Sequence, residues 1–183
     1  MTHKEIKKWL DWQQIERYTI RPDGVVDVNG SASIQNFQGS IIPIQFGTVT
    51  GEFSCAHSGV TSLKGAPYHT GEGFYCYDTN LITFDGLSQF IGGDLGAHYP
   101  GVDMNIISLS GIDRVVKHIG GRLYVNRETT HILGLLLIEG IKEFTIDRDG
   151  PIDNIMNKYV GTGDILSAQD ELIDAGFIDQ ARL

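Results

Sequence analysis

Apolar residues along this chain come in short bursts, and the bursts return at a fixed interval. Val49, Phe53 and Cys55 are answered by Thr70, Phe74 and Cys76, and Ile91 and Leu95 open a third copy, each 21 residues after its predecessor. Gly65 and Gly86 keep the same interval of 21. A period near 21 residues is the length of one short solenoid coil and falls in the leucine-rich range. Alternation sends Phe53 and Cys55 to one face, and Phe74 and Cys76 repeat them one strand spacing away, about 4.8 Å. Phe53, Phe74 and Leu95 are therefore expected to share one buried file, with Tyr75 and Tyr77 on the exposed face.

The coils spanning 49–69 and 70–90 each offer a second apolar stretch, Val60 to Leu63 and Leu81 to Phe84, behind turn formers such as Ser58 with Gly59 and Asp78 with Asn80. Upstream, Val28, Gly30, Ala32, Ile34 and Ile42 stand 21 residues before Val49, Gly51, Phe53, Cys55 and Leu63, so a first, worn coil begins near residue 28. Downstream the second half of each coil keeps its own beat: Val60, Leu63, Gly65; Leu81, Phe84, Gly86; Ile106, Leu109, Gly111; Leu135, Ile138, Gly140. The gaps between those glycines widen from 21 to 25 and then 29, and Ile119 follows Ile91 by 28. An insertion in the fourth coil accounts for this, and the turn-rich stretch 96–105 is its expected place. Insertions in repeat proteins emerge as loops on one face, often the one that binds. The fifth coil, Ile119 to Glu143, is read as the least regular.

The two ends follow other periods. Residues 2–14 predict a helix capped by Thr2, with Ile6, Trp9 and Leu10 on one stripe and Trp12 at its edge, suited to covering the open first coil. Residues 15–28 predict a hairpin turning at Asp23 and Gly24. Beyond residue 147, Ile152, Ile155, Met156 and Tyr159 predict one amphipathic helix, and Ile165, Leu166, Leu172 and Ile173 a second that Asp164 starts and Gly176 ends. The expected fold is mainly β: a short, right-handed, leucine-rich-like β-solenoid of about five coils (28–146), closed by a helix and hairpin (1–27) and by C-terminal helices (147–183).

Composition narrows the function. The 183 residues are 41% hydrophobic, enough for a sizeable core. The net charge of −9 would repel a phosphate backbone, and only Lys4, Lys7 and Lys8 cluster, which argues against nucleic acid. The N-terminus lacks the apolar run of an ordinary secretory signal, and Leu133 to Ile138 is too short to cross a bilayer. With two cysteines and a lone sequon at Asn29, the expectation is a cytoplasmic protein with reduced thiols, away from membranes.

Candidate chemistry is thin. Cys55 and Cys76 match no zinc spacing and read as inward fillers, so no metal or cofactor is expected. The histidines His3, His57, His69, His98, His118 and His131 occur in no recognisable triad order, and no nucleophile elbow is present, so no catalytic residue is assigned. Gly71 to Gly73 is a repeat turn rather than a dinucleotide fingerprint, because no third glycine follows. Asp147 to Gly150 begins like a calcium loop, but Pro151 takes the next ligand position. Asp85, Asp94, Asp103 and Asp113 read as a solvated face.

One resemblance joins these elements. Gly51 to Cys55, Val60 to Pro67 and Ile91 to Leu95 resemble the degenerate leucine-rich-like repeats of tailed-bacteriophage proteins, in which a GGDFxCxxNxLTSLxGAP unit recurs. Asn157 to Tyr159, Gly163 to Ile165 and Gln169 to Gly176 resemble the tail of such proteins. Where that pattern has Asn, this chain has Ser58 and Thr79, and the fourth and fifth coils lack the Cys. The resemblance implies no catalytic motif. With the phage source it suggests, the expected function is that of a phage accessory protein, a non-catalytic scaffold that binds a host or viral protein, interference with a host process being one use of it, with a structural part of a virion as the alternative. Tyr68, Tyr75, Tyr77, His98 and Tyr99 are the candidate protein-binding residues, because aromatics on turns and exposed strand faces are typical anchors.

Overall fold

In a computed structural model of the chain, residues 1–81, 84–97, 112–124, 131–146 and 150–182 are described. Helix α1 (His3–Trp12) starts at a capping box: the Thr2 hydroxyl accepts from the Glu5 N–H at 3.3 Å, and the Glu5 carboxylate accepts from the Thr2 N–H at 2.7 Å. Strands β1 (Tyr18–Ile20) and β2 (Val26–Val28) form the expected antiparallel hairpin. The chain then alternates between two sheets through β3 (Ala32–Ser33), β4 (Phe46–Val49), β5 (Phe53–Ser54), β6 (His69–Thr70), β7 (Phe74–Tyr75), β8 (Phe90–Ile91) and β9 (Leu95–Gly96). After the short helix α2 (Ile112–Val115) come β10 (His118–Ile119), β11 (Arg122–Tyr124), a 3-10 helix (Leu133–Leu137), β12 (Glu143–Thr145), and helices α3 (Pro151–Tyr159) and α4 (Ile165–Asp174).

The result is a β-solenoid of about five turns, closed at both ends by helices. Among the described residues one sheet runs β1-β2-β4-β6-β8-β10 and the other β3-β5-β7-β9-β11-β12, parallel throughout except at the hairpin. Register confirms the buried file. Phe53 pairs with Phe74 and Phe74 with Leu95, and the file extends from Ala32 through Leu123 to Phe144, each at most 2% exposed. The Phe53 and Phe74 rings lie 5.2 Å apart, so each coil offers the next a closely packed apolar surface.

Val60 and Leu63 are buried in a stretch that forms no strand, and the second strand of each coil is the opener itself, at β4, β6, β8 and β10. One expectation is corrected: the fifth coil keeps the 21-residue register, since Leu123 pairs with Phe144 and His118 bridges Glu139. Gly140 therefore falls in register with Ile119 and not with Gly86. Among the described residues the long coil has 28 residues, from Leu95 to Leu123, with its extra seven between β9 and β10, and a smaller register shift lies between β2 and β4. Most of the expected insertion, residues 98–105, lies outside the described residues.

The corner between the sheets explains the repeating glycines. The N–H groups of Gly71, Gly92 and Gly120 donate to Val49, Thr70 and Ile91 of the preceding coil at 2.8–2.9 Å. A Cβ at any of the three would collide with a carbonyl oxygen of the coil beneath, at Thr50, Gly71 or Gly92 respectively. Backbone stacks on backbone there, and only glycine fits.

The ends are closed differently. Ile6 and Leu10 of α1 are buried on the first coil, and Trp9 sets its ring edge-on to Phe37 at 5.9 Å. At the other end α3 lies along β12. The Asn157 amide accepts from the Phe144 N–H at 2.6 Å and donates to the Phe144 carbonyl at 2.9 Å, while the Asp153 carboxylate accepts from the Ile146 N–H. Side chains stand in for the missing next strand and satisfy an edge that would otherwise invite pairing.

Candidate functional site

Of the five candidate residues, the structure describes three and divides them between the sheets. Tyr75 lies in β7 and Tyr77 two residues beyond, both half-buried on the outward side of the second sheet, with ring centroids 6.3 Å apart. Tyr68 stands just before β6, beside the first sheet, and is 57% exposed. His98 and Tyr99 lie outside the described residues, so the expected stacking of His98 beside Tyr77 does too.

The outward face of the second sheet is the richer of the two. Tyr75 pairs with Ser54 and Gly96, and Gly96 with Tyr124, which leaves the ring room to lie over Gly96, whose added Cβ would come within 2.7 Å of it. Burial first, then the carboxylates of Glu52 and Asp94, push the Tyr75 phenol above its usual range, so it stays a neutral hydrogen-bonding group. Tyr77 is edge-on to the His57 ring at 5.3 Å, and His57 Nδ1 meets the Asp78 carboxylate at 2.6 Å. His57 and Asp78 take the same left-handed turn position one coil apart, with φ of 55° and 51°, and Asn36 precedes them at 64°. Below Tyr124, Arg122 is held strongly protonated by hydrogen bonds to Tyr124 and Glu143, and its Nε donates to Glu143 at 2.8 Å.

On the first sheet, Thr48, His69, Phe90 and His118 form an outward file. Phe90 is 44% exposed and lies 6.3 Å from the His69 ring. Phe90 and Tyr124 were not singled out from the sequence, and His57 only among the histidines that form no triad, although Phe90 stands 21 residues after His69 and 28 before His118. That spacing is the available signal once the openers are recognised as strands.

The interior offers little chemistry. Cys55 and Cys76 stack inward, free and buried. Burial raises both thiols, that of Cys76 to about 12, which keeps them protonated and unreactive. Ser58 and Thr79, which replace the Asn of the resembling repeat, turn their hydroxyls back onto the carbonyls of Cys55 and Cys76 at 2.5 and 2.9 Å, so each coil caps its own turn. Asp94, one of the four acidic candidates, accepts from the Arg122 backbone N–H at 2.8 Å. Among the described residues, no three His, Cys, Asp or Glu side chains gather as a metal site, and no helix is long and apolar enough to cross a membrane. Compared with protein-family models, with curated proteins and with solved structures, the chain matches none.

Proposed function

We propose that this protein is a non-catalytic scaffold that binds another protein through aromatic side chains held on the outer faces of a rigid solenoid. The observation that carries this reading is the cluster of Tyr75, Tyr77 and His57 on the second sheet, fixed by ladder register and by the His57–Asp78 pair. Rigid aromatics on strands lose little conformational entropy on binding, and flat sheet faces suit a protein surface. The likeness to bacteriophage repeat proteins supports a host or viral protein as the partner and a host cytoplasm as the place of action. Affinity capture from phage-infected bacterial cells tests it. The wild-type chain should retain one protein that Tyr75→Ala/Tyr77→Ala loses by tenfold or more, with unchanged thermal stability. A chain that captures only itself, or that is found in purified particles, would instead be a structural part of an assembly.

A further inference from the structure

The two outer edges of the second sheet are treated unequally. At β12 the outward backbone groups of Phe144 and Ile146 are taken by Asn157 and Asp153 of α3. At the opposite end β3 is the last strand, and among the described residues no helix side chain replaces the next one. Ala32, Ile34 and Asn36 turn their N–H groups inward to Glu52, Ser54 and His57, at 2.9, 2.8 and 3.2 Å. Alternation then points the peptide groups of Ser33 and Gln35 away from the sheet. Beside this edge runs a groove, with Ser31, Ser33 and Gln35 on one wall and residues 12–15 on the other. Trp12 is 64% exposed at its rim, the largest aromatic left open on α1.

The geometry points to this groove as a docking site for one extended segment of a partner protein, which adds to the second sheet as a further strand. This rests on the scaffold reading and gives it a place. An unpaired strand edge carries donors and acceptors at fixed strand spacing, and an extended backbone is the ligand that matches them. The side chains lining the groove, from Trp12 to Ile15 and at Ser31, Ser33, Gln35 and Asn36, carry no charge, so the segment should be uncharged as well: a buried charge would find no counter-ion there. The exposed indole of Trp12 provides the apolar contact that fixes which residue of the segment faces it.

Peptides selected from a displayed library of random linear sequences on the full-length chain are the probe. Ser33→Pro removes the outward N–H of β3 and leaves the inward bonds of Ala32 and Ile34 intact. Selected peptides should bind Ser33→Pro and Trp12→Ala at least tenfold more weakly than wild type. On the wild-type chain they should protect the amides of Ser33 and Gln35 from hydrogen exchange, a readout that holds even if the proline variant does not fold. Equal binding to both variants, no selected peptide, or protection at Tyr75 and Tyr77 would overturn the groove, and the last would leave the scaffold reading standing. A concentration-dependent dimer abolished by Ser33→Pro would also overturn it, since the edge would then pair with a second copy of this chain.

Discussion

Arg21 and Asp27 face each other across the hairpin as a two-pronged pair, Nε to Oδ2 at 2.6 Å and Nη2 to Oδ1 at 2.7 Å, and the same carboxylate receives the Thr48 N–H at 2.8 Å. The pair thus ties β1 and β2 to the next coil through one side chain. The Arg21 hydrogen bond, against the opposing cost of burial, lowers the Asp27 carboxyl below its ordinary value. A carboxyl whose folded pKa is depressed stabilises the fold above its unfolded pKa, near 4, and loses that contribution as pH falls through the folded value. Asp27→Asn should therefore lower the urea midpoint at neutral pH, and the gap to wild type should close below about pH 4. A gap that stays constant down to pH 2 would mean that the carboxylate charge contributes nothing and that the loss comes from the amide's poorer fit to Arg21.

At the scale of the element, the C-terminal edge depends on one amide. Asn157 gives Phe144 both an acceptor and a donor, which alanine cannot. Asn157→Ala leaves a strand N–H and C=O without partners under α3, at a cost of about 1–3 kcal/mol. The variant should also aggregate faster on partial unfolding, because the freed edge can pair with another chain; light scattering near the melting temperature reads this. Unchanged scattering would place the protection elsewhere on α3. The sequence announced the helix but not this contact, since an Asn on the polar side of a helical stripe carries no mark of the strand it serves. The limits of legibility were similar elsewhere. Phe53, Phe74 and Leu95 were readable because large apolar side chains repeat at one spacing. The openers β6, β8 and β10 were not readable as strands, because each is two residues long, with a single inward residue beside His69, Phe90 or His118. The regular fifth coil was hidden because Gly140, a turn residue with φ of 82°, looked like the counterpart of Gly65 and Gly86 at 93° while belonging to a different register. Of the candidate face, Tyr75 and Tyr77 followed from alternation, whereas the His57–Asp78 pair needed the turns of successive coils to be superposed.

For the molecule as a whole, a stack in which each coil touches only its neighbours should lose structure from an uncovered end inward rather than everywhere at once. The N-terminal cover is α1, whose Leu10 is fully buried against the first coil with Ile6 beside it. Leu10→Asp places a charge in that apolar contact with no counter-ion and should lift the helix away at a cost of several kcal/mol. Hydrogen exchange then distinguishes two architectures of stability. If coupling is local, amides of β2, β3 and β4 lose protection first, while β11 and β12, sealed by α3, keep theirs. The 28-residue coil sits between these groups and carries its ladder, Phe90 to His118 and Leu95 to Leu123, so any disturbance that reaches β11 and β12 has to cross it. Equal loss of protection in β3 and β12 would mean instead that the continuous file from Ala32 to Phe144 makes the solenoid one cooperative unit, in which the covers at both ends stabilise every coil between them.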